Sequence, residues 1–302
     1  MNWTLTMLTR RAITMASLMS LTGTIAKSPA AKAADIKVPW TSQGDVRVAA
    51  GQIHWASVGS GEPIVLLPKL GGWIADWRHV AQILAPKYRV IVIDNPGHGE
   101  STLHGPAPYW LQLPESAAML MAALDDIGIG RCVIGGNSLG GCIATVAAAL
   151  WPDKFSRLIL LSVALGGSRT RAELEDGDKL SARNYDAQGR PIARPFEYNA
   201  KTFGIKDPAI NDEMNASRAK AGVWVRSSER GVGHAGIIDY LPRITASTLL
   251  MYGKLGGYKQ FEAVGLAKIP NVKSVHIPDA SSFAHQDQPT ATAKLIMEFM
   301  AS

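Results

Sequence analysis

The chain has 302 residues, of which 47% are hydrophobic and 19% are charged, a composition typical of a soluble globular protein and not of a disordered or fibrous one. Four of its 31 basic residues lie in the first 34 positions, which leaves 27 basic against 25 acidic residues, so the formal net charge of +6 does not indicate an anionic partner. No basic cluster is interleaved with aromatic residues, and binding to nucleic acid is therefore not expected.

The first 34 residues are typical of a cleaved export signal. Arg10 and Arg11 precede an apolar stretch from about Ala12 to Ile25, and Ala31-Lys32-Ala33 places small residues at the spacing that a signal peptidase needs. The paired arginines resemble a twin-arginine signal, which exports folded proteins; an ordinary secretory signal and an uncleaved anchor are the alternatives. Because the apolar stretch is shorter than the roughly 20 residues that span a bilayer, we expect a mature protein over 35–302, periplasmic or secreted, with no stable membrane span.

The pattern from residue 45 onward predicts one α/β domain with an open, mostly parallel sheet. Alternating runs over Val46–Ala49 and Ile53–Val58 indicate an antiparallel hairpin, and the continuous apolar runs after them are typical of strands buried on both faces. There are six such runs, and with the two strands of the hairpin they make eight predicted strands. The six runs are Ile64–Leu67, Val90–Ile93, Cys132–Ile134, Leu158–Leu161, Thr248–Tyr252 and Val272–Ile277. Segments with helical periodicity lie between them, at Asp76–Leu84, Glu115–Asp126, Leu139–Leu150, Tyr258–Lys268 and Thr290–Met300. Since strands and helices alternate, we expect helices on both faces of the sheet.

The two cysteines, Cys132 and Cys142, fall in a predicted strand and in the helix after it. An oxidising compartment would allow a disulfide, but this placement favours two buried free thiols. Their spacing matches neither a metal-binding nor a Cys-x-x-Cys motif.

The stretch from Gly166 to about Ile238 interrupts the alternation after the sixth predicted strand. It is long, polar and rich in charge, and the glycine and prolines between 189 and 195 prevent one continuous helix. A structureless loop of this length is uncommon in a compact domain. We therefore expect an inserted, partly helical lid, with Tyr198 and Trp224 as candidates either for lining a pocket or for the core of the lid.

The segment Cys132 to Gly141, Cys-Val-Ile-Gly-Gly-Asn-Ser-Leu-Gly-Gly, leads from a strand run through Gly-x-Ser-x-Gly into an alanine-rich helix. Small residues at 136 and 140 allow a sharp turn that raises Ser138 above the sheet edge. The turn also places Ser138 at a helix N-terminus, where the dipole and free N–H groups favour developing negative charge. Ser138 is thus the candidate nucleophile, with the Leu139 N–H as one oxyanion donor; a glycine-rich turn with an idle serine is the alternative.

These features resemble the α/β-hydrolase family over nearly all of the predicted mature chain. Pro63–Leu67 is similar to the family's third strand, and Ile93–Ser101, Ile-Asp-Asn-Pro-Gly-His-Gly-Glu-Ser, is similar to the Asp-x-Pro-Gly-x-Gly-x-Ser turn after the fourth. Leu249–Gly253 matches the seventh strand, and Ile277–Asp279 matches the end of the eighth. The resemblance implies the α/β-hydrolase fold, with a mostly parallel eight-stranded sheet, helices on both faces and a lid inserted after strand 6, at about 166–238.

The loop after the third strand departs from the family pattern. The family's His-Gly is replaced by Pro68-Lys69. The family takes its second oxyanion N–H from the next residue, so the resemblance assigns that role to Leu70. Lys69 is expected either to face a substrate anion or to be solvated.

The position of the catalytic acid also departs from the family. The family's Gly-x-x-Asp after the seventh strand is replaced by Gly253-Lys254-Leu255-Gly256. Some relatives take the acid from the end of the sixth strand, but the segment from Leu161 to Ala164 has no carboxylate either. Asp239 and Glu262 are the nearest acids in sequence, and neither lies where the family places one, so the acid is unassigned.

The catalytic histidine is the third departure. The family ends with Asp-x-Gly-His before an aromatic residue and then has a second, non-catalytic histidine. In register, Ser282 takes the catalytic position and His285 takes that of the second histidine. We name His285 as the candidate base, since a reshaped loop would bring it to Ser138 and the only other histidine after the seventh strand, His276, lies inside the eighth. His234, at the end of the lid, is a further candidate.

The resemblance implies a serine hydrolase of a carboxylic ester, lactone or similar acyl compound. Ser138 would attack the carbonyl carbon, and His285 would take its proton and return it to the leaving group. The N–H groups of Leu139 and Leu70 would hold the oxyanion. Hydrolysis needs only water, so no cofactor or metal is implied, and the partner is a small-molecule acyl substrate. The alternative is a diverged member that binds a ligand or runs a lyase-type or isomerase-type reaction, and loss at three catalytic positions with the scaffold intact is what such a drift would produce.

Overall fold

The computed structural model describes residues 37–302, so the predicted export signal lies outside the described residues. Eight strands of four or more residues form one sheet: β1 (Ser42–Val48), β2 (Gly51–Val58), β3 (Glu62–Leu67), β4 (Tyr88–Ile93), β5 (Cys132–Asn137), β6 (Phe155–Leu161), β7 (Ser247–Gly253) and β8 (Val272–Ile277). A further two-residue strand, Thr102–Leu103, pairs with β2. The order across the sheet is β1-β2-β4-β3-β5-β6-β7-β8.

The sheet is mostly parallel. Strand β2 is antiparallel to β1 and to β4, and every neighbouring pair from β4 to β8 is parallel. The predicted eight-stranded, mostly parallel architecture is therefore confirmed. Each parallel pair needs a crossover connection, which is why helical segments separate these strands in the sequence.

Ten α-helices are described within residues 37–302: α1 (Arg78–Leu84), α2 (Leu113–Asp126), α3 (Leu139–Leu150), α4 (Arg171–Ser181), α5 (Phe196–Phe203), α6 (Pro208–Ala221), α7 (Trp224–His234), α8 (Glu262–Lys268), α9 (Ala284–Asp287) and α10 (Pro289–Ala301). In this part of the chain no helix is both long enough and apolar enough to cross a membrane.

Both faces of the central strands are buried, which explains their continuous apolar runs. Val65 and Leu67 of β3 face a core formed with α2 and α3, whereas Ile64 and Leu66 of the same strand face a core formed with α1 and α10. Side chains alternate between the two faces of a strand, so a strand between two helical layers requires an apolar residue at every position.

The segment between β6 and β7 contains helices α4 to α7, so the polar stretch that was expected to be partly helical holds four helices. Glu213 of α6 accepts hydrogen bonds from both terminal nitrogens of Arg78, at 2.6 and 2.9 Å, and one from Trp73 Nε1 at 3.2 Å. Lys220, at the end of α6, forms an ion pair with Glu100. These contacts hold α6 against the loops that follow β3 and β4.

The two cysteines are buried free thiols, as predicted. Burial raises the pKa of both Cys132 and Cys142 to about 12. Because the thiolate is the reactive form, neither residue is activated for nucleophilic chemistry.

Candidate active site

Ser138 lies on a strained turn between β5 and α3. Its backbone has φ 49° and ψ −114°, a conformation that residues other than glycine rarely adopt, and its side chain remains partly exposed. The turn depends on the small residues beside it: a Cβ on Gly136 would lie 2.4 Å from the Gly140 carbonyl carbon, and one on Gly140 would lie 2.3 Å from the Leu67 oxygen. The predicted strand–turn–helix arrangement around Ser138 is present.

Hydrogen bonds hold this turn in place. The Ser138 N–H donates to the Leu161 carbonyl at 3.1 Å, and the Gly140 N–H donates to the Pro68 carbonyl at 3.0 Å. The side-chain nitrogen of Asn137, Nδ2, donates to the backbone carbonyls of Leu161, at 2.8 Å, and Ser282, at 3.0 Å. The backbone N–H groups of Ser138 and Gly140, on either side of Leu139, are thus hydrogen-bonded within the fold. Leu139 itself is the first residue of helix α3.

The loop after β3 lies against the turn that carries Ser138. The Pro68 carbonyl accepts the Gly140 N–H and, at 2.8 Å, the side-chain amide of Asn95. Leu70, the second predicted oxyanion donor, follows two residues later and is partly buried. The structure therefore brings the loop of Leu70 and the turn of Ser138 and Leu139 together.

Lys69 is neither solvated nor free to meet a substrate anion, so both expectations for it are wrong. Its side chain is 3% exposed, and its Nζ lies 2.7 Å from Oδ2 of the fully buried Asp76. Burial raises the pKa of Asp76, and the charge of Lys69 acts in the opposite direction. A buried ion pair occupies the place where the family has His-Gly.

The positions that correspond to the family's acid and histidine lie in contact. A Cβ on Gly256 would lie 2.3 Å from Ser282 Oγ and 2.9 Å from the Ser282 backbone nitrogen, and both residues are buried. Ser282 Oγ has no hydrogen-bond partner among the described residues. This contact supports the register of the sequence comparison, and it places no carboxylate or imidazole at either position.

His285 is buried away from solvent on helix α9. Its ring packs on Trp77, with the centroids 4.4 Å apart, and neither of its nitrogens has a hydrogen-bond partner among residues 37–302. Burial, Lys69 and Arg78 hold the pKa of His285 well below its usual range. Its ring also lies 6.5 Å from that of Phe283, centroid to centroid. Its role as the base of Ser138 stays a prediction.

The other candidates from the sequence lie elsewhere. Glu262 accepts hydrogen bonds from Ser274 Oγ, at 2.5 Å, and pairs with His276 Nε2, at 2.8 Å. The ring of His234 stacks on Trp110, with centroids 4.3 Å apart. Asp239 lies in a short 3-10 turn, Ile237–Asp239, next to Gly236.

Tyr258 is the residue at this site that the sequence did not reveal. It is partly buried and packs against the same core cluster as Leu139 and Cys142. The sequence predicted that Tyr258 begins a helix, whereas it lies in a 3-10 turn, Gly257–Phe261, that precedes α8. An available signal was its position two residues after Gly256, in the loop from which the family takes its acid.

Charged side chains from the helical segment lie near the loop of Leu70. Arg218 is 5% exposed, its Cγ lies 2.5 Å from where a Cβ on Gly71 would be, and its Nε and Nη2 have no hydrogen-bond partner among the described residues. Tyr185 donates a hydrogen bond to Glu229 at 2.5 Å. Burial lowers the pKa of Arg218, followed by repulsion from Arg194. The guanidinium therefore has unused donors in a buried setting.

A cavity of about 450 Å³ is lined in part by Asp94. Its lining residues include Trp40, His54, Trp73 and Glu100, and none of the residues of the Ser138 turn. Neither Ser138 nor Arg218 is among its lining residues.

Comparison with known families and proteins agrees with this geometry. A family model described as alpha/beta hydrolase fold matches residues 62–230, more than half of the chain. A 2-hydroxy-6-oxononadienedioate/2-hydroxy-6-oxononatrienedioate hydrolase of Cupriavidus pinatubonensis is 28% identical over 270 residues, which cover 83% of this chain and 91% of that protein. A 2-hydroxy-6-oxo-6-phenylhexa-2,4-dienoate hydrolase of Burkholderia cepacia is 24% identical over 278 residues, 83% of this chain and 92% of that protein.

Solved structures show the same fold. A thermophilic esterase from Thermogutta terrifontis matches with a TM-score of 0.72 and 24% identity, over 86% of this chain and 98% of that one. The enol-lactonase from Burkholderia xenovorans LB400 matches with a TM-score of 0.71 and 20% identity, over 86% of this chain and 100% of that one.

Proposed function

The chain belongs to the α/β-hydrolase family, and from that premise we propose that it is a serine hydrolase of a small, carboxylate-bearing acyl compound such as an ester or a lactone. Ser138 is the proposed nucleophile. The sequence relatives are named as hydrolases, and the esterase and the enol-lactonase share the fold.

The strained backbone of Ser138 carries this proposal. A residue other than glycine held at positive φ costs on the order of 1–3 kcal/mol and persists where the surroundings over-determine it, most often at functional sites. Here the strain raises a partly exposed hydroxyl at the N-terminus of α3, which has 12 residues. Ser162 has the same φ of 49° but is buried, so the strain points to a nucleophile at Ser138 because it is combined there with a partly exposed hydroxyl at a helix N-terminus.

The oxyanion donors are the proposed N–H groups of Leu139 and Leu70. When Ser138 attacks a carbonyl, the negative charge that develops on the substrate oxygen lies at the positive end of the α3 dipole. The hydrogen bond from Gly140 to Pro68 keeps the loop of Leu70 beside the turn. A lysine in place of the family's glycine is accommodated because its charge is paired with Asp76.

Arg218 supports a substrate with a carboxylate. A buried guanidinium with two unpaired nitrogens loses hydration without replacement, and a carboxylate ligand would supply the missing acceptors. The two sequence relatives are named as hydrolases of carboxylic acids. The relative from Cupriavidus pinatubonensis is named for a dioate, with two carboxylates, and the relative from Burkholderia cepacia for a dienoate, with one. The shared chemistry is an acyl or keto group on a carbon chain that ends in a carboxylate.

The test is activity labelling with variants. Purified protein is treated with a fluorophosphonate probe and assayed on short-chain nitrophenyl esters, as wild type and as Ser138→Ala, Ser162→Ala and His285→Ala. Ser162 is the matched control, because it has the same φ of 49° at the end of β6 but is buried. We expect wild type and Ser162→Ala to label and turn over, and Ser138→Ala to do neither.

Two results would change the proposal. A wild-type protein that neither labels nor hydrolyses esters overturns it. Labelling and turnover that survive in His285→Ala remove His285 from the role of base, which its burial on Trp77 already disfavours.

The second candidate function is ligand binding or a non-hydrolytic reaction in the same site. It is favoured by Gly256 and Ser282, which leave the family's acid and histidine positions without a titratable group. In that case small carboxylates bind wild type and Ser138→Ala with equal affinity in calorimetry, and no ester is hydrolysed.

A further inference from the structure

The cavity of about 450 Å³ beside Asp94 is lined by residues of the first hairpin of the sheet and of the loops that follow β3 and β4. Its walls include two indole side chains, those of Trp40, just before β1, and Trp73, after β3. A volume of this size falls within the range of about 300–1,000 Å³ that small-molecule sites occupy. Because the cavity shares no lining residue with the turn of Ser138, a ligand bound here would have a site of its own.

Two walls of this cavity are held in place by helix α6. Trp73 Nε1 donates to Glu213 at 3.2 Å, and Lys220 forms an ion pair with Oε1 of Glu100. The side chains on these walls are therefore positioned before any ligand arrives. A preformed site saves the conformational entropy that ordering its side chains would otherwise cost on binding.

Two ring nitrogens of the lining are available to a ligand. Trp40 Nε1 is buried and has no hydrogen-bond partner among the described residues. His54 Nδ1 lies 2.8 Å from Asp45 Oδ1. Because an ionised carboxylate only accepts hydrogen bonds, Nδ1 carries the proton, and Nε2 of the neutral imidazole is an acceptor. The lining thus offers one N–H donor and one nitrogen acceptor, a pair that the hydroxyl group of a ligand would satisfy.

The charges around the cavity favour a cation. Asp94 and Glu100 are among the lining residues, Asp45 lies behind His54, and no lysine or arginine lines the cavity. Lys220 offsets the charge of Glu100 from outside the lining. Asp94 is 1% exposed, and its two oxygens accept backbone N–H groups at 2.7 and 2.8 Å, so it acts on a ligand through its charge. Since these oxygens are already hydrogen-bonded, a methylated ammonium, which needs no acceptors, fits better than a primary one.

We propose that this cavity binds a small methylated ammonium alcohol. The cation lies against the indole rings of Trp40 and Trp73, which attract it through the negative faces of their π-systems. The hydroxyl oxygen accepts from Trp40 Nε1, and the hydroxyl proton is donated to His54 Nε2. This site does not depend on the proposed function, so Ser138→Ala should bind such a ligand with wild-type affinity.

The test compares three probes by calorimetry on the purified protein. Choline carries both the cation and the hydroxyl, 3,3-dimethyl-1-butanol has the same shape without the charge, and tetramethylammonium has the charge without the hydroxyl. Titrations are made at about pH 8, because burial raises the pKa of Asp94 to about 7. We expect choline to bind about tenfold more tightly than 3,3-dimethyl-1-butanol, and more tightly than tetramethylammonium. Equal affinities for choline and its neutral analogue, or no saturable binding of choline, overturn the inference.

Variants assign the binding to this cavity. We expect Trp40→Phe and His54→Gln each to raise the Kd for choline by roughly 3- to 10-fold, the value of one lost hydrogen bond. Trp151→Phe and His104→Gln are the matched controls, because Trp151 packs against the core elsewhere, His104 is exposed, and neither lines the cavity. An unchanged Kd in both Trp40→Phe and His54→Gln places choline elsewhere and overturns the inference.

A measurement on the wild-type protein keeps the test independent of how the variants fold. The indole N–H resonance of Trp40 in a nitrogen-15 correlation spectrum reports on a new acceptor at Nε1. We expect saturating choline to move this proton resonance downfield, and by more than saturating tetramethylammonium does. A resonance that saturating choline leaves in place, while other indole N–H resonances move, overturns the assignment of the site.

Discussion

At the level of single residues, the buried pair of Lys69 and Asp76 shapes the loop that carries Leu70. The Gly72 N–H donates to the Lys69 carbonyl at 2.9 Å, and a Cβ on Gly72 would lie 2.1 Å from Asp76 Oδ2. The tight turn therefore leaves room for the carboxylate only because position 72 is glycine. The ion pair and the turn together hold the backbone on both sides of Leu70.

We predict that Lys69→Met destabilises the protein strongly. Removing one member of a buried ion pair leaves the other charge uncompensated and costs about 3–5 kcal/mol in the free energy of unfolding. The double variant Lys69→Met with Asp76→Leu should recover most of that loss. Urea unfolding of wild type, both single variants and the double variant measures the coupling. Additive losses in the double variant would show that the two side chains do not act as a pair.

Arg218 gives a prediction about substrate charge. We expect Arg218→Met to raise KM for a carboxylate-bearing ester by roughly 10- to 100-fold, since a hydrogen bond to a charged group contributes about 1.5–3 kcal/mol. KM for a neutral ester of the same size should change little. Arg190→Met is the control, because Arg190 pairs with Asp186 on the exposed surface. Equal effects on both esters would remove Arg218 from substrate recognition.

At the level of elements, polar side chains of helix α6 bind it to the loops that follow β3 and β4. Glu213 accepts three hydrogen bonds from Trp73 and Arg78, and it is 10% exposed. Exposed pairs within the same segment, such as Arg171 with Glu175, join residues of one helix and do not connect the segment to the sheet. Movement of the segment over the site would therefore break the hydrogen bonds of Glu213 together with the ion pair of Lys220 and Glu100.

We predict that Glu213→Ala opens the segment between β6 and β7. If the hydrogen bonds of Glu213 stabilise the closed segment by about 1.4 kcal/mol, their loss raises the equilibrium constant for opening about tenfold. Trypsin should then cleave faster at the arginines between α4 and α5. Initial cleavage rates in native buffer measure this, with Glu175→Ala as the control of equal charge change. Identical cleavage rates for Glu213→Ala and wild type would show that the hydrogen bonds of Glu213 do not hold the segment closed.

At the level of the whole molecule, the parallel sheet brings the candidate site together. Ser138, the Gly253–Gly256 loop and the loop of Ser282 all follow the carboxyl ends of parallel strands, β5, β7 and β8. Carboxyl ends of parallel strands lie on one edge of a sheet, which is where open α/β folds bind their ligands. Residues from distant parts of the chain therefore meet beside α3.

The N-terminal residues give a prediction about location. We propose that the protein acts in the periplasm or outside the cell after export through a twin-arginine signal. Replacing Arg10 and Arg11 by lysine should then retain the uncleaved chain in the cytoplasm, as judged by cell fractionation and immunoblotting. Unchanged export of that variant would favour an ordinary secretory signal.

The sequence alone determined the sheet, the helices around it and the turn of Ser138. These features depend on residues that are close together in the sequence. An apolar run such as Val90–Ile93 indicates a strand buried on both faces, and Gly-x-Ser-x-Gly indicates a turn within five residues. The buried free thiols of Cys132 and Cys142 followed from the same local patterns.

Only the tertiary structure decided how Ser138 is surrounded. The side chain of Asn137 bonds to the Ser282 carbonyl, 145 positions away in the sequence, and Gly256 contacts the side chain of Ser282. The burial of Lys69 on Asp76 and of His285 on Trp77 likewise depends on side chains that no periodicity brings together. Backbone patterns encode which element forms, whereas the environment of an ionisable group depends on the packing of distant elements, and that environment decides which group can move a proton.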